Sequence, residues 1–163
     1  MKRLVFMAAL ACVHSGAFGD GGWKDYVNAR FGFKFSHPSG LVAGPEPTNG
    51  GGRVFSTPDK EFEVSAWGQF MVDDDTLEKR WANELTELGD VATYKRKAAD
   101  WYVLSGVKKG VEFYHKAFSK NGNGVFLEIE YPHAKNAQYD PWVEKIEKSF
   151  VPFLKGEFDR IQK

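Results

Sequence analysis

The chain has 163 residues, of which 42% are hydrophobic and 15% aromatic, and its 22 basic residues balance 22 acidic ones. Its single cysteine, Cys12, excludes a framework of internal disulfide bonds, so stability must come from an apolar core. The basic clusters Lys95-Arg96-Lys97 and Lys108-Lys109 are short and have acidic neighbours. Nucleic acid is therefore not an expected partner, because neutralising several phosphates takes a basic face.

The N-terminus has the pattern of an export signal. Met1-Lys2-Arg3 precedes an uncharged run at residues 4–13, and Ala17-Phe18-Gly19 places small residues where signal peptidase reads them. A run of about ten apolar residues is too short for a transmembrane helix, which needs about 20. The pattern predicts a signal peptide at residues 1–19 and a periplasmic or secreted domain at residues 20–163. Losing Lys2 and Arg3 leaves 20 basic and 22 acidic residues, a net charge of −2.

A lipoprotein is the alternative interpretation of the same segment. Ala9-Leu10-Ala11-Cys12 partly matches a lipobox, in which the cysteine is lipidated and anchors the protein. The branched aliphatic residue usual three positions before the cysteine is missing, so the soluble form is favoured.

Two hairpins are predicted next. The first joins strands at residues 23–28 and 31–36 and stops at His37-Pro38, because proline cannot donate to a ladder. Residues 39–53 are rich in glycine and proline and are expected to form a mobile loop. The second hairpin joins strands at residues 53–57 and 61–70 around Pro58-Asp59-Lys60.

A helix is predicted from the aspartates at 73–75 to about residue 88. One apolar stripe is formed by Leu77, Trp81, Leu85 and Leu88. Gly89 is placed to end the helix. The acidic triplet could bind calcium, but no loop with ligand spacing and a distal glutamate follows. Capping of the free helix N–H groups is the favoured interpretation.

A second helix is predicted at residues 140–154, with Pro141 in its first turn, where proline is tolerated. Its apolar side is formed by Trp142, Val143, Ile146, Phe150 and Phe153. This side is expected to close the core against the sheet.

Four strands are predicted between the helices, at residues 91–98, 101–108, 111–120 and 125–131. The last two are joined by Asn121-Gly122-Asn123-Gly124, a doubled hairpin signal. The turn can centre on the first Asn-Gly, on the second, or use all four residues. In each case the numbers of paired residues sum to an odd value, so His115 shares a face with Glu128 and Glu130.

The same argument assigns the remaining positions of these strands to two faces. Tyr114, Phe118, Val125, Leu127, Ile129 and Tyr131 share the apolar face. Applied across Lys109-Gly110, it adds Trp101, Val103 and Val107 to that face, and Tyr102 and Leu104 to the mixed face with His115.

Several short motifs share the pattern of one known superfamily. They are Tyr26-Val27-Asn28, the aromatic strand at residues 31–38 ending in proline, residues 100–106, Tyr131-Pro132, Tyr139-Asp140 and Lys148-Ser149-Phe150. In these motifs the chain resembles the PsbP-like superfamily, named for an extrinsic subunit of photosystem II. The resemblance implies an α+β fold: a single α/β/α sandwich whose central, mainly antiparallel sheet is flanked by helices. It implies no enzymatic activity common to the family.

The mixed face holds the predicted ligand-binding residues His115, Glu128, Glu130 and Tyr102. An imidazole and two carboxylates can bind a divalent ion or act in acid-base catalysis. On an incompletely covered sheet, however, such cross-strand pairs mostly serve as solvated charge pairing, which is the favoured interpretation.

Two classes of function remain. The preferred one is an exported, non-catalytic binding or accessory module for a protein or a cell-envelope component, with no cofactor. The exported chain contains no cysteine and no Gly-x-Ser-x-Gly elbow, so nucleophilic catalysis has no candidate residue. The alternative is a metal-binding protein or metal-assisted hydrolase that uses His115, Glu128 and Glu130.

Overall fold

The computed structural model describes residues 22–72 and 74–154. The predicted signal peptide and Cys12 lie outside these residues. The strands in this part of the chain are β1 (Trp23–Asn28), β2 (Phe33–Pro38), β3 (Val42–Ala43), β4 (Gly52–Ser56), β5 (Glu63–Phe70), β6 (Ala92–Lys97), β7 (Trp101–Lys108), β8 (Val111–Lys120) and β9 (Asn123–Pro132), and the helices are α1 (Leu77–Leu88) and α2 (Asn136–Ser149). With 12 and 14 residues, α1 and α2 are both too short to span a bilayer, and residues 22–72 and 74–154 contain no other helix that is a candidate for a membrane span.

Seven strands form one antiparallel sheet in the order β3-β4-β5-β9-β8-β7-β6, and β1 and β2 form a separate hairpin. The mainly antiparallel sheet is thus confirmed. The predicted loop at residues 39–53 omitted β3, whose Val42 and Ala43 pair with Ser56 and Phe55 of β4. Two residues carry too little periodicity to be recognised as a strand.

The first hairpin turns later than predicted. Gly32 has φ +63°, its N–H donates to the Asn28 carbonyl oxygen at 2.9 Å, and the Asn28 side chain accepts from Phe31 N at 2.8 Å. The aromatic residue at 31 therefore belongs to the turn, and β2 begins at Phe33.

The β7–β8 and β8–β9 hairpins use two-residue turns. Lys120 pairs with Asn123 around Asn121-Gly122, where φ is +51° and +73°. Positive φ at both central residues is the type I′ geometry that Asn-Gly favours. Of the three turns left open by the sequence, the structure uses the first, and the predicted face assignment is confirmed: His115 pairs with Glu128 and Leu104 with His115.

Helix α1 is capped by Thr76, whose Oγ1 accepts from Lys79 N at 3.2 Å, and Gly89 follows its last residue. The capping role predicted for the aspartates is wrong at Asp75, because both of its oxygens bind Arg80, each at 2.7 Å. Asp73 lies outside the described residues.

Helix α2 begins four residues before the predicted start and ends five before the predicted end. A 3₁₀ turn at His133–Lys135 leads directly into it, so Pro141 lies inside the helix and not in its first turn. The helix ends early because Val151 is extended and exchanges two backbone hydrogen bonds with Lys34 of β2, at 3.0 and 2.9 Å.

The two helices lie on opposite sides of the sheet. We call the side against α1 the α1 face and the other side the α2 face; the α2 face is also covered by the β1–β2 hairpin. The α1-face core contains Leu77, Leu88, Ala92, Tyr102, Leu104, Phe113, Ala117 and Phe126. The larger α2-face core includes Phe33, Phe35, Phe62, Val125, Leu127, Ile129, Tyr139, Ile146 and Phe150.

Candidate functional site

The predicted site residues lie on the α1 face as the strand register requires. His115 is directly opposite Glu128, Phe113 is opposite Glu130, and Tyr102 is opposite Ala117. The interpretation as solvated charge pairing is wrong for the centre of this cluster. Helix α1 covers it, leaving 18% of the His115 side chain and 1% of Tyr102 exposed.

A residue that the sequence analysis missed holds the cluster together. Glu84 of α1 accepts a hydrogen bond from the Tyr102 hydroxyl, and its Oε2 lies 3.1 Å from His115 Nδ1. Because an ionised carboxylate can only accept, this contact places a proton on Nδ1. A signal was present in the sequence: position 84 is three residues after Trp81 and four before Leu88, so a charged residue lies on the apolar stripe.

The cluster changes the protonation of its members. Burial alone would lower the pKa of His115, but the hydrogen bond to Glu84 and the charges of Glu128 and Glu130 outweigh it and raise the pKa above 6.5. Burial raises the pKa of Glu128 above 4.5, and the neighbouring carboxylates act in the same direction. Burial and the bond to Glu84 also raise the pKa of Tyr102. The raised pKa of His115 favours the protonated imidazole among these carboxylates.

Glu84 binds His115 and Tyr102 across the helix–sheet contact. His115 and Glu130 also reach the wall of a cavity of about 330 Å³ whose other polar walls include Lys108 and Glu87. Residues 22–72 and 74–154 contain no group of three or more His, Cys, Asp or Glu side chains arranged to hold a metal ion. The ligand-binding role of His115, Glu128, Glu130 and Tyr102 remains a prediction, and no geometric observation favours the metal alternative.

An open groove about 530 Å³ in volume lies on the α2 face, and we call it the α2 groove. It is lined by Tyr94, Trp101, Val103, Ser105, Tyr114, Lys116, Tyr131, Asp140, Val143, Glu144 and Glu147. It exists because α2 packs on β2 and β9 and leaves the side of the sheet formed by β6, β7 and part of β8 uncovered.

The polar groups of the α2 groove come mostly from one wall. Asp140, Glu144 and Glu147 all project from α2. The Tyr131 hydroxyl donates to Asp140 Oδ1 at 2.8 Å, and Lys116 forms an ion pair with Glu147. Burial, followed by the charge of Glu147, raises the pKa of Tyr114, so this phenol stays neutral.

The sequence placed the groove-lining Trp101, Val103 and Tyr114 on the apolar face of the sheet. What it could not supply is the lateral position of α2. No local pattern indicates that the helix lies towards the hairpin and leaves these side chains beside an open groove.

The fold is PsbP-like, as the sequence resemblance implied. The chain is similar to the solution structure of cyanobacterial PsbP (CyanoP) from Synechocystis sp. PCC 6803, with a TM-score of 0.61 and 13% identity, covering 85% of this chain and 96% of that one. It is also similar to a crystal structure from Bacteroides thetaiotaomicron VPI-5482, with a TM-score of 0.53 and 15% identity, covering 82% of this chain and 50% of that one. No protein-family model and no curated protein matches the sequence. At these identities the similarity concerns the fold alone.

Proposed function

We propose that this protein is an exported, non-catalytic binding module for a partner protein, and that the α2 groove is its recognition surface. The observation that carries the proposal is the uncovered side of the sheet, where aromatic rings line an open cavity in place of a helix. Export rests on the N-terminal pattern of residues 1–19.

The composition of the α2 groove supports binding. Ligand sites are usually concave and mostly apolar, with a small number of polar groups that fix orientation. Aromatic side chains also dominate the energetics of protein interfaces, because each buries a large area with few rotatable bonds. Tyr94 is 48% exposed at the edge of the groove and is therefore available to a partner.

The chemistry of the lining supports a non-catalytic role. Among the described residues that form the α2 groove there is neither a histidine nor a cysteine. Asp140 accepts the Tyr131 hydroxyl and Glu147 pairs with Lys116, so both carboxylates have structural partners. A general base aimed at an open position is the arrangement that catalysis would need.

Peptide selection tests the proposal without knowledge of the partner. Random dodecapeptides displayed on phage are selected on the full exported chain, and the binders are measured by calorimetry against the wild type, Tyr94→Ala and Phe70→Ala. Phe70 is the matched control, since it is an aromatic residue 57% exposed on β5, away from the groove. We expect Tyr94→Ala to weaken binding at least tenfold, about 1.4 kcal/mol, and Phe70→Ala to leave it unchanged.

Binders with equal affinity for the wild type and Tyr94→Ala would place recognition elsewhere on the protein. Selection that yields no peptide binding above an unrelated protein would count against a peptide-binding module altogether.

A further inference from the structure

Two of the aromatic residues that line the α2 groove, Trp101 and Tyr114, differ from the other aromatic residues that the structure describes. Four of the five tryptophans have a ring or cation partner: Trp23 with Lys145, Trp67 with Phe126, Trp81 with Tyr102, and Trp142 with Tyr139. Among residues 22–72 and 74–154, neither the Trp101 ring nor the Tyr114 ring belongs to a ring pair or a cation–ring contact, although Tyr114 packs against the α2-face core and hydrogen-bonds Glu147. Both rings line the α2 groove.

The second distinguishing feature of the groove is its charge. Its lining contains three carboxylates, those of Asp140, Glu144 and Glu147, and one ammonium group, that of Lys116. Lys116 is committed to Glu147, and Lys148 binds Glu144 one helical turn further along α2. Counted together with Lys148, the three carboxylates and two ammonium groups leave an excess of one negative charge on the α2 wall, at Asp140.

Rings on one side and carboxylates on the other favour a cation between them. The face of an aromatic ring attracts a cation within about 6 Å of its centroid, and a carboxylate adds direct charge attraction. The protein itself shows the pairing: Lys145 lies 4.2 Å from the Trp23 ring centroid, and Arg96 lies 5.8 Å from that of Tyr94 at the rim of the groove.

We propose that the α2 groove accepts a basic side chain, an arginine or lysine of the partner protein, between the Trp101 ring and the acidic wall of α2. This inference rests on the proposed function and names the chemistry of its ligand. The guanidinium of an arginine is the better fit, because it can stack on a ring and bind a carboxylate at the same time.

Fluorine NMR of the full exported chain labelled with 5-fluorotryptophan tests the inference. The Trp101 resonance is assigned from Trp101→Phe, and four probes are titrated: the end-capped tripeptides Gly-Arg-Gly, Gly-norleucine-Gly and Gly-Glu-Gly, and tri-N-acetylchitotriose. We expect Gly-Arg-Gly to shift the Trp101 resonance saturably, with an affinity at least fivefold higher than that of any other probe and falling with added salt.

Variants of the acidic wall complete the test. The double substitution Asp140→Asn and Glu144→Gln should weaken Gly-Arg-Gly binding at least threefold. Glu87→Gln, which removes one carboxylate from a different cavity, should not change it. The melting curve of each variant is compared with that of the wild type to confirm folding.

The possible failures are distinguishable. Equal or stronger binding of the norleucine, glutamate or sugar probe would overturn the basic side chain while leaving groove recognition intact. The same conclusion follows if selected peptides depend on Tyr94 but Gly-Arg-Gly does not move the Trp101 resonance. If Tyr94→Ala leaves the affinity of the selected peptides unchanged and none of the four probes shifts the Trp101 resonance, both proposals are wrong.

Discussion

The two faces of the sheet differ in how much of each is covered by its helix. On the α1 face, His115 of β8 and Glu128 of β9 are half-buried beneath a helix that contributes Glu84 to them, while Glu130 stays exposed. On the α2 face, Trp101 and Tyr114 line an open groove because the helix lies to one side. The comparison shows that polar residues on a sheet do not by themselves identify a functional site, and that apolar residues do not by themselves identify a core. Whether these side chains are covered depends on the position of the helix that packs on their face.

The position of α2 has identifiable causes. Ser149 at its end accepts a hydrogen bond from Ser36 N at 2.8 Å, and the chain just after it pairs with Lys34 of β2. Tyr139 at its start packs against Phe62, with ring centroids 5.1 Å apart. Both ends are therefore held towards β2 and the loop before β5, away from β6 and β7.

The largest expected effect concerns the packing that holds α2 in place. Phe150 is 8% exposed, and its ring centroid lies 6.3 Å from Phe33 and 5.9 Å from Phe118, so it joins the end of α2 to both the hairpin and the sheet. Phe150→Ala should lower the free energy of unfolding by about 3–5 kcal/mol, measured by urea denaturation. The control Phe70→Ala should cost only about 1 kcal/mol, because the Phe70 ring is 57% exposed although it packs 5.3 Å from the Phe31 ring. A loss below about 1 kcal/mol at Phe150 would show that α2 does not close this core.

The next effect concerns the hydrogen bond between Tyr102 and Glu84, which joins α1 to the sheet. Tyr102→Phe removes the hydroxyl that donates to Glu84 and leaves that carboxylate with one partner fewer. Hydrogen bonds to charged groups contribute about 1.5–3 kcal/mol, and the partial exposure of Glu84 reduces this, so a loss of about 1–2 kcal/mol is expected by urea denaturation. Tyr94→Phe, at an exposed tyrosine, is the matched control and should be neutral. Equal stability of the two variants would mean that Glu84 does not hold the helix to the sheet.

The contribution of the His115–Glu84 pair to the free energy of unfolding should depend on pH, and the sign of this dependence can be stated. Because the folded-state pKa of His115 is raised above 6.5, its charge pairing with Glu84 stabilises the protein fully below about pH 6.5, and that contribution is lost as pH rises through the folded-state pKa. The pKa of Glu128 is also raised in the folded state, so its contribution to stability likewise falls as pH rises above about 4.5. The stability difference between wild type and His115→Gln should therefore shrink from pH 6 to pH 9 in urea denaturation.

An NMR titration reports the same coupling directly. His115 should titrate above 6.5, and Glu84→Gln should lower its pKa. His37 is an internal reference of opposite sign, because burial lowers its pKa. His133→Gln, at an exposed histidine, is the control variant for the comparison of wild type and His115→Gln by urea denaturation. A His115 pKa that Glu84→Gln leaves unchanged would contradict the role of this carboxylate.

Much of the fold follows from local patterns. The Asn121-Gly122 turn fixes the register of β8 and β9, because every turn that the sequence allows leads to the same parity. The apolar stripe of α1 and its stop at Gly89 are likewise set within the helix. These features depend on neighbours in the sequence, so the sequence predicts them.

What escaped prediction depends on contacts between distant segments. His115 and Glu128 were assigned to one face correctly, but their burial depends on α1, and only the packed helix brings Glu84 to them. The start of α2 was missed because Pro141 is typical of a first turn, whereas the 3₁₀ turn before Asn136 supports an earlier start. A charged residue on an apolar helical stripe, as at Glu84, is the signal that could have closed part of this gap.

The smallest expected effect separates recognition from folding at the α2 groove. Tyr94 lies on the edge strand β6 and is 48% exposed, and its ring contacts only the Arg96 guanidinium among the described rings and cations. Tyr94→Ala should therefore change the free energy of unfolding by no more than about 0.5 kcal/mol in urea denaturation, as surface substitutions usually do. The matched comparison is Tyr102→Ala on the next strand, where the 1% exposed ring packs on Trp81 and its loss should cost about 3–5 kcal/mol. If Tyr94→Ala were as destabilising as Tyr102→Ala, the rim of the α2 groove would be part of the core. The contrast between the covered α1 face and the open α2 groove would then not hold at β6.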